Sequence, residues 1–129
     1  MSNKAKGTKY ENKLFDKLND RGYKVLRAAG SGTKREADVD LIAGNHLTGQ
    51  YGIECKFKSK KYIYISKEQM SNFIDFCEVF GLIPKIAARF PRMKWYFLDP
   101  EQLEETGKNF KVTQDMCKRE GEKIDEVFE

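Results

Sequence analysis

Asp38-Val39-Asp40-Leu41-Ile42-Ala43-Gly44 and, after six intervening residues, Tyr51-Gly52-Ile53-Glu54-Cys55-Lys56-Phe57-Lys58 are apolar runs with charge at alternate positions at one end. Their alternation predicts strands over Ala37–Ala43 and Tyr51–Lys58, joined through Gly44–Gly49 as an antiparallel hairpin. Residues two apart on a strand share a face. Glu54 and Lys56 therefore point one way and Ile53, Cys55 and Phe57 the other, toward a core. On the first strand Asp38 and Asp40 oppose Val39 and Leu41, and the hairpin brings Asp40 beside Glu54 and Lys56. Two carboxylates a few ångströms apart repel by about 4 kcal/mol at an effective dielectric of about 20, a cost a purely structural sheet has no reason to carry. A divalent cation removes the conflict. Magnesium suits such a site, because it takes oxygen ligands in octahedral geometry and keeps several waters.

Outward from the hairpin, Thr8-Lys9-Tyr10-Glu11 has capping-box spacing, and Glu11, Leu14, Phe15 and Leu18 follow at helical intervals until Gly22. A helix over about 8–21 is expected, with Glu11 at the head of its apolar stripe and so turned toward the sheet. Tyr23 to Arg27 is a short extended run, and Ala29 to Arg35 has the small, polar composition of a mobile loop. Lys67 to Phe80 returns to helical spacing, with Met70, Phe73, Ile74, Cys77 and Phe80 on one stripe, Phe76 widening it, and Gly81 as the stop. Strands are expected over Lys85–Phe90 and Lys94–Leu98 around a turn at Pro91-Arg92-Met93, then a short strand near Phe110 and a terminal helix over about 113–128. This order describes an α/β domain, a central mixed sheet flanked by helices.

The chain has 129 residues, 40% apolar and 34% charged, which fits a single domain spanning 1–129 and neither a disordered tail nor a membrane protein. It shows no apolar run of spanning length and no secretory leader pattern, so a cytoplasmic or nucleoid-associated protein is expected, or one in a host cytoplasm if virus-encoded. Three widely spaced cysteines, Cys55, Cys77 and Cys117, argue against a disulfide framework, and the single histidine, His46, excludes multi-histidine metal sites and sits in a turn composition. No small-molecule cofactor is expected: Gly30-Ser31-Gly32 follows a strand, but no helix pattern opens behind it. Net charge is +7 over residues 1–35, +1 over 36–100 and −4 over 101–129. With Lys56, Lys58, Lys60, Lys61 and Lys67, the basic end forms either a polyanion-binding surface or a solubilising face.

At Asp40-Leu41-Ile42-Ala43-Gly44 followed by Glu54-Cys55-Lys56 the chain resembles the D…ExK signature of restriction-endonuclease-like nucleases. The match continues through Lys6-Gly7, Glu11, Gly22-Tyr23, Arg27, Gly30-Ser31, Ala43-Gly44-Asn45, Phe80-Gly81 and Trp95, in an order similar to archaeal-type Holliday junction resolvases, over about 6–98. Asn12 stands where that family carries an arginine directly after its first glutamate. The resemblance implies that Glu11, Asp40 and Glu54 hold Mg²⁺, with Mn²⁺ able to substitute, and that Lys56 and Ser31 complete the catalytic set. It further implies that Arg27 holds phosphate and that Phe76 and Phe80, with Phe73, lie at a homodimer contact. Backbone contacts to DNA are expected from Lys4, Lys6, Lys9, Lys34, Arg35, Lys58, Lys60, Lys61 and Arg89. The implied activity is an Mg²⁺-dependent endodeoxyribonuclease that resolves four-way DNA junctions by paired nicks, leaving 5′-phosphate ends. A nuclease of the same fold acting on other DNA, or a non-catalytic DNA-binding protein, are the alternatives.

Overall fold

The computed structural model of the chain describes residues 3–28, 38–58 and 60–129. Ser31, Lys34 and Arg35 lie outside them, as do the loop expected over 29–35 and the side chains of Lys4 and Lys6. Helix α1 (Asn3–Asp20) leads into strand β1 (Lys24–Arg27), and the expected hairpin follows as β2 (Leu41–Asn45) and β3 (Gly49–Phe57). Next come β4 (Tyr62–Ser66), α2 (Lys67–Phe80), β5 (Ile83–Arg89) and β6 (Tyr96–Leu98). A 3₁₀ turn at Pro100–Gln102, β7 (Glu104–Glu105), β8 (Asn109–Thr113), α3 (Gln114–Glu120) and α4 (Ile124–Val127) complete the chain.

Five strands form a mixed sheet in the order β1-β2-β3-β5-β6, antiparallel except for β3 against β5. A parallel pair needs a long crossover, and β4 with α2 supplies it. The hairpin register sets Leu41 opposite Ile53, as the alternation requires. On one side of the sheet Leu14 and Leu18 of α1 pack with Leu41, Ile53, Ala87 and Phe97. On the other, Met70, Phe73 and Cys77 of α2 pack with Ile86, Ala88 and Leu98. A Cβ at Gly52 would stand 2.5 Å from the Cys77 sulfur, so the bare backbone there lets α2 lie close against β3. Helix α2 spans the predicted residues: Ser66 caps it by accepting from the Gln69 N–H, and Gly81 ends it in the left-handed region at φ 89°. Among the described residues no helix is long and apolar enough to cross a membrane.

Several expectations are corrected. Thr8 lies inside α1, which starts at Asn3, so Thr8 and Glu11 form no capping box; Lys4, Ala5 and Lys6 are good helix formers that outweigh Gly7. The first hairpin strand starts at Leu41 rather than Ala37: Val39 packs on the α2 side while Leu41 packs on the α1 side, so Asp38 and Asp40 are not on a continuing strand face. Beside the central sheet stands a second one, antiparallel β4-β8-β7, whose Tyr62-Ile63-Tyr64-Ile65-Ser66 run buries both isoleucines and exposes the rest. The terminal helix is two helices. A Cβ at Gly121 would stand 2.5 Å from the Cys117 carbonyl oxygen and 2.9 Å from the Tyr96 ring, and Glu122 leaves the helical path to exchange two backbone hydrogen bonds with Phe97. Phe73 is a core residue at 1% exposure and takes no part in a surface. Phe76 and Phe80 stack at 5.6 Å, and Val79, Phe80 and Ile83 are exposed beside them.

Candidate active site

The edge of the sheet where β1 ends, β2 begins and β3 ends gathers the charged residues that the hairpin pattern singles out. Asp40 sits one residue before β2 and is fixed by three hydrogen bonds. Its N–H donates to Ile53 O at 3.0 Å, its carbonyl accepts from Ala28 N at 2.9 Å, and its Oδ2 accepts from Cys55 N at 2.7 Å. Ahead of the start of β2 the Cys55 N–H has no ladder partner on that strand, and the Asp40 carboxylate replaces it. Asp38 is exposed nearby.

Glu54 follows on β3 and is 5% exposed. Burial first, then the charge of Asp40, push its carboxyl up to about 9, against the pull of Lys56. The Lys56 ammonium stands 3.7 Å from Glu54 Oε2, on the face the alternation assigns to both. Gln69, the third residue of α2, donates from Nε2 to the same Oε2 at 2.5 Å and accepts from Lys56 Nζ at 3.4 Å. Gln69 is the residue sequence reasoning missed: a polar residue in the first turn of a helix reads as a cap, and only the packing of α2 on β3 turns it to the site.

Glu11 projects from α1 toward the sheet, as its place at the head of the apolar stripe requires. Its carboxyl is raised by burial, lowered by the hydrogen bond from Arg27 Nε at 2.6 Å, and raised again by Asp40. Arg27, expected to hold phosphate, is thus engaged with Glu11, its side chain still 39% exposed. Around the site stands a cationic rim. The Arg89 guanidinium lies 4.5 Å above the Tyr10 ring, which stacks on Phe57 at 4.2 Å, and Lys13 approaches the same ring. Among the described residues, the buried Arg89 Nε has no hydrogen-bond partner. Lys9, Lys58, Lys60 and Lys61 are exposed.

Asp40 and Glu54 bring hard oxygen donors together with like charge, which fits a divalent cation and not a soft metal. Among the described residues no three His, Cys, Asp or Glu side chains form a ready metal group. Waters, a backbone carbonyl and a phosphate oxygen would fill the other positions, as magnesium prefers. Chemically, the edge can neutralise a phosphodiester, orient a water beside an amine, and do both on rigid strands.

Comparison with known proteins agrees with this geometry. The archaeal Holliday junction resolvase (Hjc) family matches residues 2–129. Among curated relatives, the crossover junction endodeoxyribonuclease Hjc of Archaeoglobus fulgidus is 36% identical over 109 residues, 84% of this chain and 79% of the relative. The enzyme of the same name from Methanocaldococcus jannaschii is 39% identical over 108 residues, 83% of this chain and 75% of the relative. The solved structure of Archaeoglobus fulgidus Hjc, a Holliday junction resolvase, superposes with a TM-score of 0.86 at 32% identity, covering 95% of this chain and all of that one. The sheet, the carboxylate pair on its hairpin and these likenesses together make this chain a member of the archaeal Holliday junction resolvase family, with the restriction-endonuclease-like fold.

Proposed function

We propose that this chain is a Mg²⁺-dependent endodeoxyribonuclease that resolves four-way DNA junctions. The observation that carries the reading is the buried carboxylate of Glu54, crowded by Asp40 and only partly balanced by Lys56. Asp40 and Glu54 would hold the cation, which when bound supplies charge neutralisation on the phosphoryl oxygens and a more acidic water. Lys56, steadied by Glu54 and Gln69, orients the attacking water by donating a hydrogen bond to its oxygen. Glu11 and Arg27 act as a pair: the arginine opposes the upward push of burial on the acid, and the acid holds the arginine where a phosphate oxygen can reach it. Hydrolysis on the 3′-oxygen side of the phosphate leaves 5′-phosphate and 3′-hydroxyl ends.

Selectivity for a branch point comes from geometry. A homodimer built on the exposed Val79, Phe80 and Ile83 with the half-buried Phe76 would hold two sites at a fixed spacing, so a junction engages both and a linear duplex one. Lys9, Lys58, Lys60, Lys61 and Arg89 would meet phosphates and carry no base specificity. A DNA substrate sets its place of work in the cytoplasm beside the nucleoid.

The test compares a labelled four-way junction, a flap and a linear duplex of the same sequences, with Mg²⁺ and with chelator. Paired, symmetric nicks in the junction alone, dependent on Mg²⁺, are expected. Equal cutting of all three substrates would assign the site to a general nuclease, and binding without cutting to a DNA-binding protein.

A further inference from the structure

Gln69 occupies a position with a standard use and does something else with it. Ser66 is the N-cap of α2, and its hydroxyl accepts from the Gln69 N–H at 3.0 Å. Ser-x-x-Gln is capping-box spacing, in which the carboxamide of the fourth residue reaches back to the N-cap N–H. Here the carboxamide turns to β3, with Nε2 on Glu54 Oε2 at 2.5 Å and Oε1 on Lys56 Nζ at 3.4 Å. An amide is the neutral side chain that offers a donor to a carboxylate and an acceptor to an ammonium at once. Glu54 and Lys56 share a strand face and carry opposite charges, so without a third group they would close into a direct ion pair. With the amide between them the Nζ to Oε2 separation is 3.7 Å, longer than a charge-assisted hydrogen bond. Both contacts fall on Oε2, and Asp40 meets the same carboxyl from the cation side.

We propose that Gln69 is a positioning residue of the nuclease site, holding Glu54 turned toward the cation and Lys56 free for the attacking water; the assignment rests on the nuclease reading above. Its anchor is rigid, because the backbone of Gln69 is fixed by the Ser66 cap and α2 is fixed on β3 by Gly52 and Cys77. The carboxamide therefore transfers the order of the helix start to two side chains on a neighbouring strand.

The test uses the full chain and three variants. Gln69→Met keeps the length of the side chain and removes donor and acceptor; Gln69→Glu keeps an acceptor for Lys56 and repels Glu54; Thr113→Ala removes the hydroxyl that caps α3 by accepting from the Met116 N–H at 3.0 Å, and Thr113 makes none of the site's contacts. Three readings are taken: single-turnover cleavage of a labelled four-way junction under Mg²⁺, junction affinity in chelator, and Mn²⁺ binding to the free protein, followed by the electron paramagnetic resonance signal of unbound Mn²⁺. Misplacing a reacting group by about an ångström costs on the order of a hundredfold, so Gln69→Met is expected to lose about tenfold or more in cleavage rate. Its junction affinity should stay at the wild-type value and its Mn²⁺ affinity should fall several-fold, as when an outer-shell partner of a ligand is lost. Gln69→Glu is expected to cleave no faster than Gln69→Met. Thr113→Ala should lower the melting temperature and keep the wild-type rate. Wild-type rate and wild-type Mn²⁺ affinity in Gln69→Met would overturn the proposal, as would equal rate losses in Thr113→Ala and Gln69→Met that track their melting temperatures. A wild-type protein that cuts no junction would overturn the nuclease reading instead, and Mn²⁺ binding would still judge the role of Gln69.

Discussion

Two charged side chains are buried among the described residues, Glu54 on β3 and Lys85 on the adjacent β5, and they are treated in opposite ways. Lys85 is fully answered: its ammonium lies 2.7 Å from Asp99 and 3.6 Å from Glu122. Burial lowers its affinity for the proton, but the Asp99 hydrogen bond and the two carboxylates raise it by more, so the ion is held. Glu54 is crowded instead by Asp40 and, at longer range, by Glu11, and its single cation is 3.7 Å away. One strand apart, the same sheet closes one electrostatic account and leaves the other open. The closed one fastens the C-terminal segment, and the open one is where the proposed divalent cation would bind.

The sharpest way to break this contrast is to neutralise Glu54. Glu54→Gln is expected to abolish Mg²⁺-dependent cutting, a loss on the order of a thousandfold from the several kcal/mol a bound cation supplies, while junction binding in chelator is kept. Cleavage and gel-shift assays on the same preparation check it. Lys85→Met should do the reverse. Removing one partner of a buried pair costs about 3–5 kcal/mol, but Asp99 and Glu122 are partly exposed and solvated, so about 2 kcal/mol is expected. Chemical denaturation measures that loss, and cleavage per folded molecule should not change.

A pH series separates the two sites further. The Glu54 carboxyl binds its proton more tightly folded than unfolded, with its pKa raised from 4.5 to about 9. Its contribution to the stability of the metal-free protein is therefore best at low pH and declines as pH climbs from 4.5 toward 9. The Lys85 contribution, from a raised lysine, is complete below the ordinary 10.5 and is lost only above it. Denaturation midpoints between pH 5 and pH 9 should thus fall in Lys85→Met as in the wild type, and fall less in Glu54→Gln. The smallest effect is expected at Asp125→Asn, which removes the exposed ion pair with Arg21 near α4: well under about 1 kcal/mol by denaturation.

How far the sequence carries depends on whether a feature is local. The hairpin and its Glu54 and Lys56 face, with Asp40 just ahead of β2, follow from alternation and a short turn, and α2 from its apolar stripe and Gly81, all within a few residues of one another. The strand β4 is also local, since Tyr62 and Tyr64 alternate with Ile63 and Ile65, but the lysine run before it draws the eye to charge. What the sequence leaves closed is long-range. The Lys85 triad joins β5 to Glu122 through a register no pattern encodes, and Gly121 looks like a weak helix residue until Tyr96 and the Cys117 carbonyl are seen against it. The acidic tail is a further instance. Its charge alone assigns it no role, yet Phe128 is wholly buried against Tyr23, Tyr51 and Phe97, worth about 2–3 kcal/mol of transfer free energy, and Arg21 donates to its carbonyl. Gln69 belongs to the same class: its spacing from Ser66 is legible, and its turn toward Glu54 is not.

The most direct measurement is the melting temperature of wild-type and Glu54→Gln protein across a titration with Mg²⁺ or Mn²⁺ and no DNA. A ligand that binds only the folded state raises stability with its concentration. The expected result is a metal-dependent rise in the wild type that is absent or much reduced in Glu54→Gln, whose metal-free melting temperature starts higher. Equal rises in both proteins, or none in either, would contradict the assignment of Glu54 as the open charge a cation closes.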